Sequence, residues 1–204
     1  MRVLVLGGTG HIGSRLCVLM KTCGWSTPVC ASRHGRGPSI QLDTCDEEAL
    51  AAVLRQVDAV VNCVGILNRA GRNTFDSVQA GGAARIARIA AEEGVGALVH
   101  LSSIGADAAS DSEYQRTKAA GEAAVLAAFP TAVILRPSII FGNEDGFFNR
   151  FAAMSRMGPI LPVVGADTRF QPVYVDDVAQ AAVLGITGRA EAGVYELGGP
   201  DVAT

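Results

Sequence analysis

Tyr114 and Lys118 have the residue types and the spacing that acid–base chemistry requires. Side chains four positions apart lie on one face of a helix, so the phenol and the amine are expected to be neighbours. An ammonium beside a phenol lowers the pKa of the phenol and makes it usable as a general acid or base. Ser102 and Ser103 end a predicted strand, at the edge where parallel sheets bind ligands. Tyr114, Lys118 and Ser103 are therefore predicted to be catalytic.

A tyrosine and a lysine at this spacing are common by chance, so the prediction depends on a cofactor site elsewhere in the chain. Three glycines supply one: Gly7 permits a tight turn, Gly10 lets the backbone approach a pyrophosphate, and Gly13 permits close packing of helix on strand. The helix that follows offers free N–H groups to the phosphates. A glycine-rich turn without a ligand is the alternative, and the position between a strand and a helix argues against it. The predicted phosphate-binding residues are Gly7, Thr9, Gly10, His11, Ile12 and Gly13.

Arg33 stands where dinucleotide-binding chains recognise the adenosine ribose, about 20 residues after the glycines. An acidic residue there binds a 2′-hydroxyl, whereas an arginine accommodates a 2′-phosphate, and residues 25–41 include no carboxylate. A guanidinium can clamp a phosphate with two hydrogen bonds. Ser32 precedes it, and His34 and Arg36 could add to the site. The pattern favours NADP(H) over NAD(H), and the alternative is a solvated surface arginine.

The elements that would position these residues alternate along the chain. Strands are predicted at residues 3–6, 28–32, 40–42, 59–64, 97–101, 132–135 and 194–197. Helices are predicted at residues 11–22, 47–56, 75–93, 112–129, 147–157 and 176–186. Strands that alternate with helices at this spacing predict a mostly parallel sheet covered on both faces, which is the doubly wound α/β class with a Rossmann-type fold. An irregular connection is expected at residues 158–172.

Composition excludes several classes of function. The 204 residues suit one domain, the net charge is −3, and no basic stripe favours nucleic acid as a partner. The three histidines have no metal-ligand spacing, so no metal site is expected. No apolar stretch approaches the ~20 residues of a transmembrane segment. The five cysteines are odd in number and form no C-x-x-C pair, so we expect no disulfide framework, a reducing compartment and a cytoplasmic location.

Taken together, the motifs resemble the short-chain dehydrogenase/reductase superfamily in its extended, epimerase-like branch. The residues that carry the likeness are 7–13, Asn62-Cys63-Val64-Gly65, Leu101-Ser102-Ser103, Tyr114 with Lys118, Leu135-Arg136-Pro137-Ser138, and 171–179. A closer likeness is to the atypical group typified by the NADPH-binding accessory subunit of respiratory complex I and its bacterial relatives. It is carried by residues 64–67, 99–102, 104–107 and Phe147-Phe148-Asn149-Arg150-Phe151.

The resemblance implies a role for each matching residue. Asp43 would meet the adenine ring, and Lys118 would hold the nicotinamide ribose. Tyr114 would be the acid–base group. The remaining implied contacts of the cofactor are Cys63, Val64, Gly65, Ser102, Pro137 and Ser138. The partners implied are a nicotinamide dinucleotide and a small-molecule substrate of unknown identity.

The chain also departs from the superfamily pattern. Gln79 stands where the catalytic set often has an asparagine, and the segment between Ser103 and Tyr114 is short. Two functions therefore stay open. One is an NADP(H)-dependent oxidoreductase or epimerase-like enzyme, and the other is a nucleotide-binding accessory or sensor protein without turnover, with a protein complex at a membrane as its partner. Residues 1–204 are assigned to the nucleotide-binding domain. From about residue 143 the chain is expected to begin a C-terminal substrate lobe, most of it absent, with Phe147, Phe148 and Phe151 as core or as an anchor for that lobe.

Overall fold

The computed structural model of the protein describes residues 1–35, 37–156 and 167–203. The strands are β1 (Arg2–Leu6), β2 (Thr27–Ser32), β3 (Ile40–Gln41), β4 (Ala59–Asn62), β5 (Ala97–Leu101), β6 (Val133–Pro137), β7 (Ile140–Phe141), β8 (Val173–Tyr174) and β9 (Gly193–Leu197). The helices are α1 (His11–Thr22), α2 (Glu47–Leu54), α3 (Gly81–Glu92), α4 (Glu113–Ala128), α5 (Phe148–Ser155) and α6 (Val175–Ile186), with one π-helical turn at Asp76–Ala80.

Seven strands form one sheet in the order β3-β2-β1-β4-β5-β6-β9, and every pair in it runs parallel. Side chains alternate across β1: Leu4 and Leu6 join the core beneath α2, α3 and α4, while Val3 and Val5 join the core beneath α1 and α6. Both faces of the sheet are thus covered, as the near-continuous apolar strands predicted. The doubly wound Rossmann-type fold is confirmed.

The strand order reverses between β1 and β4. The chain leaves β1 toward β2 and β3 on one side and returns to β4 on the other side. The connections that follow β1 and β4 therefore diverge at the carboxyl edge and open a crevice between them, which is where folds of this class bind ligands. The glycine loop lies directly after β1 and Cys63 directly after β4, so the topology brings the predicted site residues to one place.

Two local features were not predicted. β7 and β8 pair as a separate two-stranded parallel sheet, with Ile140 opposite Val173. The predicted helix over 75–93 begins instead with the π-helical turn, whose wider winding leaves Gln79 buried at 2% exposure. The end of the predicted helix 147–157 and much of the predicted connection 158–172 lie outside the described residues, as does Arg36.

The expectation of no disulfide needs correction. Cys17 of α1 and Cys30 of β2 are joined as a disulfide, with their Cα atoms 6.5 Å apart. Cys23, Cys45 and Cys63 are free thiols. The cysteine count could not reveal this pair, because the two residues meet only when α1 packs against the sheet. The disulfide fastens α1 to β2 immediately behind the glycine loop, where Cys30 lies against Gly8.

Candidate nucleotide-binding and catalytic site

The glycine loop has the geometry of a phosphate cradle. Gly7 adopts a φ of 76°, a conformation that side chains disfavour. A Cβ atom on Gly13 would overlap the carbonyl oxygen of Gly7, so the first turn of α1 can lie against the loop only with glycine there. α1 begins at His11, and its first N–H groups have no partner within the helix. The cradle fits the pyrophosphate of a dinucleotide.

A cleft of about 300 Å³ runs from this cradle over the ends of the neighbouring strands. Many of the predicted cofactor residues line it: Gly7, Thr9, Gly10, Ser32, Arg33, Asp43, Cys63, Val64 and Gly65. The predicted residues His11, Ile12, Gly13, Ser102, Lys118, Pro137 and Ser138 are not in its lining. The cleft therefore gathers the adenosine and phosphate half of the predicted site.

Arg33 lies at the adenosine end of the cleft. Its Nη1 donates to Oδ1 of Asn73 at 2.8 Å, a contact that no sequence pattern indicated. Ser32 is engaged with Ser39, their hydroxyl oxygens 3.0 Å apart, and His34 also lines the cleft. Asp43 accepts from the backbone N–H of Cys45 at 2.9 Å, which orders the turn after β3. An arginine and short polar side chains thus border the place predicted for the ribose.

The loop after β4 is held by a buried polar pair. Oδ1 of Asn62 accepts from the N–H of Val64 at 3.0 Å, and its Nδ2 lies 3.0 Å from Nδ1 of His100 on β5. Burial, with the charge of Lys118 in second place, lowers the pKa of His100 to about 3, so the imidazole is neutral. Its Nε2 is buried and has no hydrogen-bond partner among the described residues. Asn62 and His100 therefore position Val64 rather than take part in chemistry.

Lys118 is almost completely buried, at 5% exposure. Its ammonium donates to the carbonyl of Leu101 at 3.1 Å and lies 6.0 Å from the centre of the Tyr114 ring. Burial lowers its pKa to about 8, while Glu122 and Cys63 act in the opposite direction. Glu122 is itself paired with Arg136 at 2.7–2.9 Å. The helix α4 thus brings Tyr114 and Lys118 to one face, as predicted.

The expected lowering of the Tyr114 pKa is wrong. Burial raises the pKa of the phenol, and the nearby hydroxyl of Ser103 offsets the rise only in part. The reason is geometric: the ammonium is turned toward Leu101, and the ring packs edge-on against Phe75 at 5.7 Å between centres. At neutral pH Tyr114 is therefore a protonated phenol.

The ends of β5 and β6 complete the site. The N–H of Ser102 donates to Leu135 at 2.7 Å, and the N–H of Ser138 donates to Leu197 at 2.8 Å, which fixes both loops at the carboxyl edge. The hydroxyl of Ser102 is buried without a hydrogen-bond partner in the described ranges, whereas the hydroxyl of Ser103 lies beside the phenol of Tyr114. Because a buried hydroxyl is costly when unpaired, Ser102 fits a ligand that supplies the missing partner.

Gln79 takes a role that its place in the sequence alone could not reveal. Its Nε2 donates to the carbonyl of Ile66 at 2.9 Å, and its Oε1 accepts from the hydroxyl of Thr117 at 2.8 Å. Thr117 is the neighbour of Lys118 on α4. The amide thus ties the loop after β4 to the helix that carries Tyr114 and Lys118, and both its polar atoms are engaged.

Other candidate residues serve structure. Burial, opposed in part by Lys118, raises the pKa of the Cys63 thiol to about 12, so it is a poor nucleophile.

Asp176 forms a two-point ion pair with Arg15 at 2.6 Å, and this contact lowers the pKa of the carboxyl. Phe147, which directly precedes α5, and Phe148, its first residue, are 41% and 38% exposed, so core packing is wrong for them. Among the described residues, no cluster of His, Cys, Asp and Glu could hold a metal ion.

Comparison with known proteins places this geometry in a family. The family model described as "RmlD substrate binding domain" matches residues 1–204, the full length of the chain. The chain belongs to the RmlD substrate-binding-domain family. The predicted membership of the short-chain dehydrogenase/reductase superfamily is thereby confirmed.

Two proteins similar to this chain are a mitochondrial NADH dehydrogenase subunit and a reductase. NADH dehydrogenase (ubiquinone) 1 alpha subcomplex subunit 9 of Arabidopsis thaliana mitochondria is 34% identical over 98% of this chain and 54% of its own length. The dTDP-4-dehydrorhamnose reductase of Mycobacterium tuberculosis is 30% identical over 92% of this chain and 68% of its own length. The chain thus spans about half of the complex I subunit. The predicted likeness to that subunit is confirmed, and reductases are also among the relatives.

A solved structure shares the fold of this family member. The Bordetella bronchiseptica enzyme WbmH in complex with NAD⁺ superposes with a TM-score of 0.83 at 19% identity, covering 100% of this chain and 76% of that chain. Within the described residues, no helix of this chain is both long enough and apolar enough to cross a bilayer.

Proposed function

We propose that this chain is the nucleotide-binding part of an NADP(H)-dependent oxidoreductase that reduces a carbonyl compound. The observation that carries the proposal is the grouping of three side chains: the phenol of Tyr114 lies beside the hydroxyl of Ser103, and the buried ammonium of Lys118 lies 6.0 Å from the centre of the Tyr114 ring. A carbonyl oxygen that gains negative charge requires such donors. The likeness to a dTDP-4-dehydrorhamnose reductase supports a reductive direction.

Each residue has a defined part in this proposal. The loop Gly7–Gly13 holds the pyrophosphate, with Thr9, His11 and Ile12 beside it, and Arg33 holds the 2′-phosphate. The ammonium of Lys118 holds the nicotinamide ribose, and Ser102, Pro137 and Ser138 border the nicotinamide. The bound nucleotide supplies a hydride. Tyr114 donates its proton to the carbonyl oxygen, and Ser103 donates a hydrogen bond to the same oxygen. The segment from about residue 143 begins the substrate lobe.

Tyr114→Phe tests the proposal directly. The substitution removes the proton donor and keeps the ring against Phe75, so NADPH oxidation with a panel of carbonyl substrates should fall at least 100-fold. NADPH affinity should stay within about threefold, because the hydroxyl is not among the proposed nucleotide ligands. Tyr195→Phe is the matched control, since the Tyr195 hydroxyl donates to Glu191 at the far edge of the sheet. An unchanged rate in Tyr114→Phe, measured in the full-length protein, overturns the proposal.

A second candidate function is a nucleotide-binding accessory subunit without turnover. Gln79 favours it, because the residue at the position of a catalytic asparagine has both its polar atoms engaged within the fold. The likeness to a mitochondrial complex I subunit favours it as well. Under this candidate the protein sits at the periphery of a membrane complex, whereas the enzyme would be cytoplasmic. Multiple turnovers of NADPH with any carbonyl substrate would exclude the subunit role.

A further inference from the structure

A short segment at residues 66–74, here called the strap, connects β4 to the π-helical turn and borders the adenosine end of the cleft. Gln79 fixes its start at the carbonyl of Ile66. Ala70 and Asn73 exchange two backbone hydrogen bonds of 3.0–3.1 Å, which close a tight turn around Gly71. Thr74 and Ser77 then cap the turn that follows, with hydrogen bonds of 3.0 Å. The strap is therefore an ordered element that holds Asn73 at a defined place.

The contact between Asn73 and Arg33 fixes which way the amide points. A guanidinium has only donors, so Asn73 must turn its oxygen toward Arg33, and the amide NH2 then points away. Asn73 itself lines the cleft. No hydrogen-bond partner for this NH2 group occurs in the described part of the chain. The side-chain oxygen of Asn73 is therefore occupied by Arg33. The groups that remain for a ligand are the NH2 group of Asn73 and the other N–H groups of Arg33, all of which are hydrogen-bond donors.

The charged side chains that line the cleft also favour an anionic ligand. Arg85 also lines the cleft, but it is paired with Glu47 at 3.2 Å. Within the described residues Arg33 has no carboxylate partner; its contact is the neutral amide of Asn73. Asp43, the acidic residue of the lining, is engaged with the N–H of Cys45. An unpaired guanidinium beside a free amide NH2 group suits a ligand that is anionic and accepts hydrogen bonds, which a phosphate does.

We propose that Asn73 is a specificity-determining residue, which with Arg33 forms the subsite for the 2′-phosphate of NADP(H). Its oxygen orients the guanidinium, and its NH2 group donates to the phosphate. The inference rests on the proposed NADP(H) function. It extends the subsite for the 2′-phosphate from Arg33, at the end of β2, to Asn73 on the strap. If Asn73 only supported the fold, its substitution would weaken NADPH and NADH equally. If Asn73 binds the 2′-phosphate, its substitution weakens NADPH and leaves NADH unchanged.

Calorimetric titration of the full-length protein tests the assignment with four ligands: NADPH, NADH, 2′,5′-ADP and 5′-AMP. Asn73→Ala should weaken NADPH and 2′,5′-ADP about 10-fold and leave NADH and 5′-AMP within twofold. Asn73→Asp should weaken the phosphorylated pair further, because its carboxylate neutralises Arg33 and repels the phosphate. Asn68→Ala is the matched control on the strap, since the exposed Asn68 has no partner among the described residues, and it should bind all four ligands as the parent does.

The outcomes separate this inference from the function on which it rests. If the parent protein binds NADPH no better than NADH, the preference itself fails and the subsite falls with it. If the parent prefers NADPH and Arg33→Ala removes the preference while Asn73→Ala keeps it, only the role of Asn73 is overturned. Equal losses for all four ligands in Asn73→Ala also overturn it, because they assign Asn73 to the fold of the strap.

Discussion

At the scale of single residues, the proposal makes Arg33 the residue that determines which nucleotide is preferred. A charge-assisted hydrogen bond to a phosphate contributes about 1.5–3 kcal/mol, which corresponds to roughly 10- to 100-fold in affinity. Arg33→Ala should therefore weaken NADPH by about that factor and NADH by less than twofold, as measured by titration. Arg189→Ala, which removes an exposed arginine after α6, controls for the change in net charge. Equal losses for the two nucleotides would mean that Arg33 does not contact the 2′-phosphate.

Lys118 gives the site a pH dependence whose sign can be worked out. Burial lowers its pKa from 10.5 to about 8, so between these values the unfolded chain holds a proton that the folded chain has released. The free energy of unfolding must then rise with pH across this window, by about 3 kcal/mol in total at roughly 1.4 kcal/mol per pKa unit. Below pH 8 Lys118 is protonated in both the folded and the unfolded chain, and the buried charge then destabilises the folded state by its full amount.

Lys118→Met isolates this contribution. The unfolding free energy of the parent minus that of the variant, from denaturant titrations without nucleotide, should increase between pH 8 and 10.5. Cys63 has the opposite dependence, because its raised pKa leaves the folded thiol protonated where the unfolded one ionises. Because Lys118 acts on the pKa of Cys63, both proteins are compared in a Cys63→Ser background, which removes this effect from the difference. A difference that stays flat over the window would show that Lys118 is not buried as described.

Residue types predicted the positions of the candidate side chains better than their contacts. The glycines lie between a strand and a helix, Arg33 follows a strand, and Tyr114 and Lys118 share a helix face, because such placement depends on local spacing. Asn73 was not singled out, and the contacts of Gln79 were not predicted, since both depend on the path of the loop after β4. The pKa of Tyr114 was predicted in the wrong direction, because burial is a property of the packed molecule and outweighs a lysine whose ammonium points elsewhere.

At the scale of elements, the disulfide between Cys17 and Cys30 makes a prediction about α1. It closes a short loop between the helix and β2, and such links typically contribute 2–4 kcal/mol. Reduction should therefore lower the unfolding free energy by about that amount, as measured by denaturation with and without reductant. Cys23→Ser, which removes an exposed free thiol, should leave the effect of the reductant unchanged.

Thiol counting provides the independent check. Under denaturing, non-reducing conditions a thiol reagent should modify three of the five cysteines, and all five after reduction. Five reactive thiols in protein purified without reductant would mean that the two cysteines are neighbours and not bonded.

The pattern of apolar runs predicted each long strand of the main sheet, because the spacing of apolar residues within a segment reflects which of its faces are buried. It predicted the helix start at 47 as well, where Asp46 accepts from the N–H of Ala49. β7 and β8 were missed, since two-residue strands have no periodicity and exist only through pairing across 33 positions, Ile140 with Val173. The π-helical turn was missed because its residues read as ordinary helix.

At the scale of the whole molecule, the chain is similar both to a reductase and to a complex I subunit. Nucleotide binding is common to both proposed functions, whereas catalysis separates them. The chain spans 54% of the length of the Arabidopsis subunit. Every proposed role at the nicotinamide end requires that a dinucleotide first bind in the cradle of Gly7–Gly13.

Gly10→Ala tests that central requirement most directly. Gly10 has φ −81° and ψ 170°, which alanine adopts without strain, and the added methyl group would lie 3.2 Å from the carbonyl of Gly7. The substitution therefore keeps the fold nearly intact and places a side chain where the backbone must approach the pyrophosphate. The measurement is a calorimetric titration of the full-length parent and of Gly10→Ala with NADPH, after circular dichroism has shown that both are folded. The account predicts saturable binding by the parent and a loss of at least 10-fold in the variant; no binding by the parent, or equal binding by the two, would contradict it.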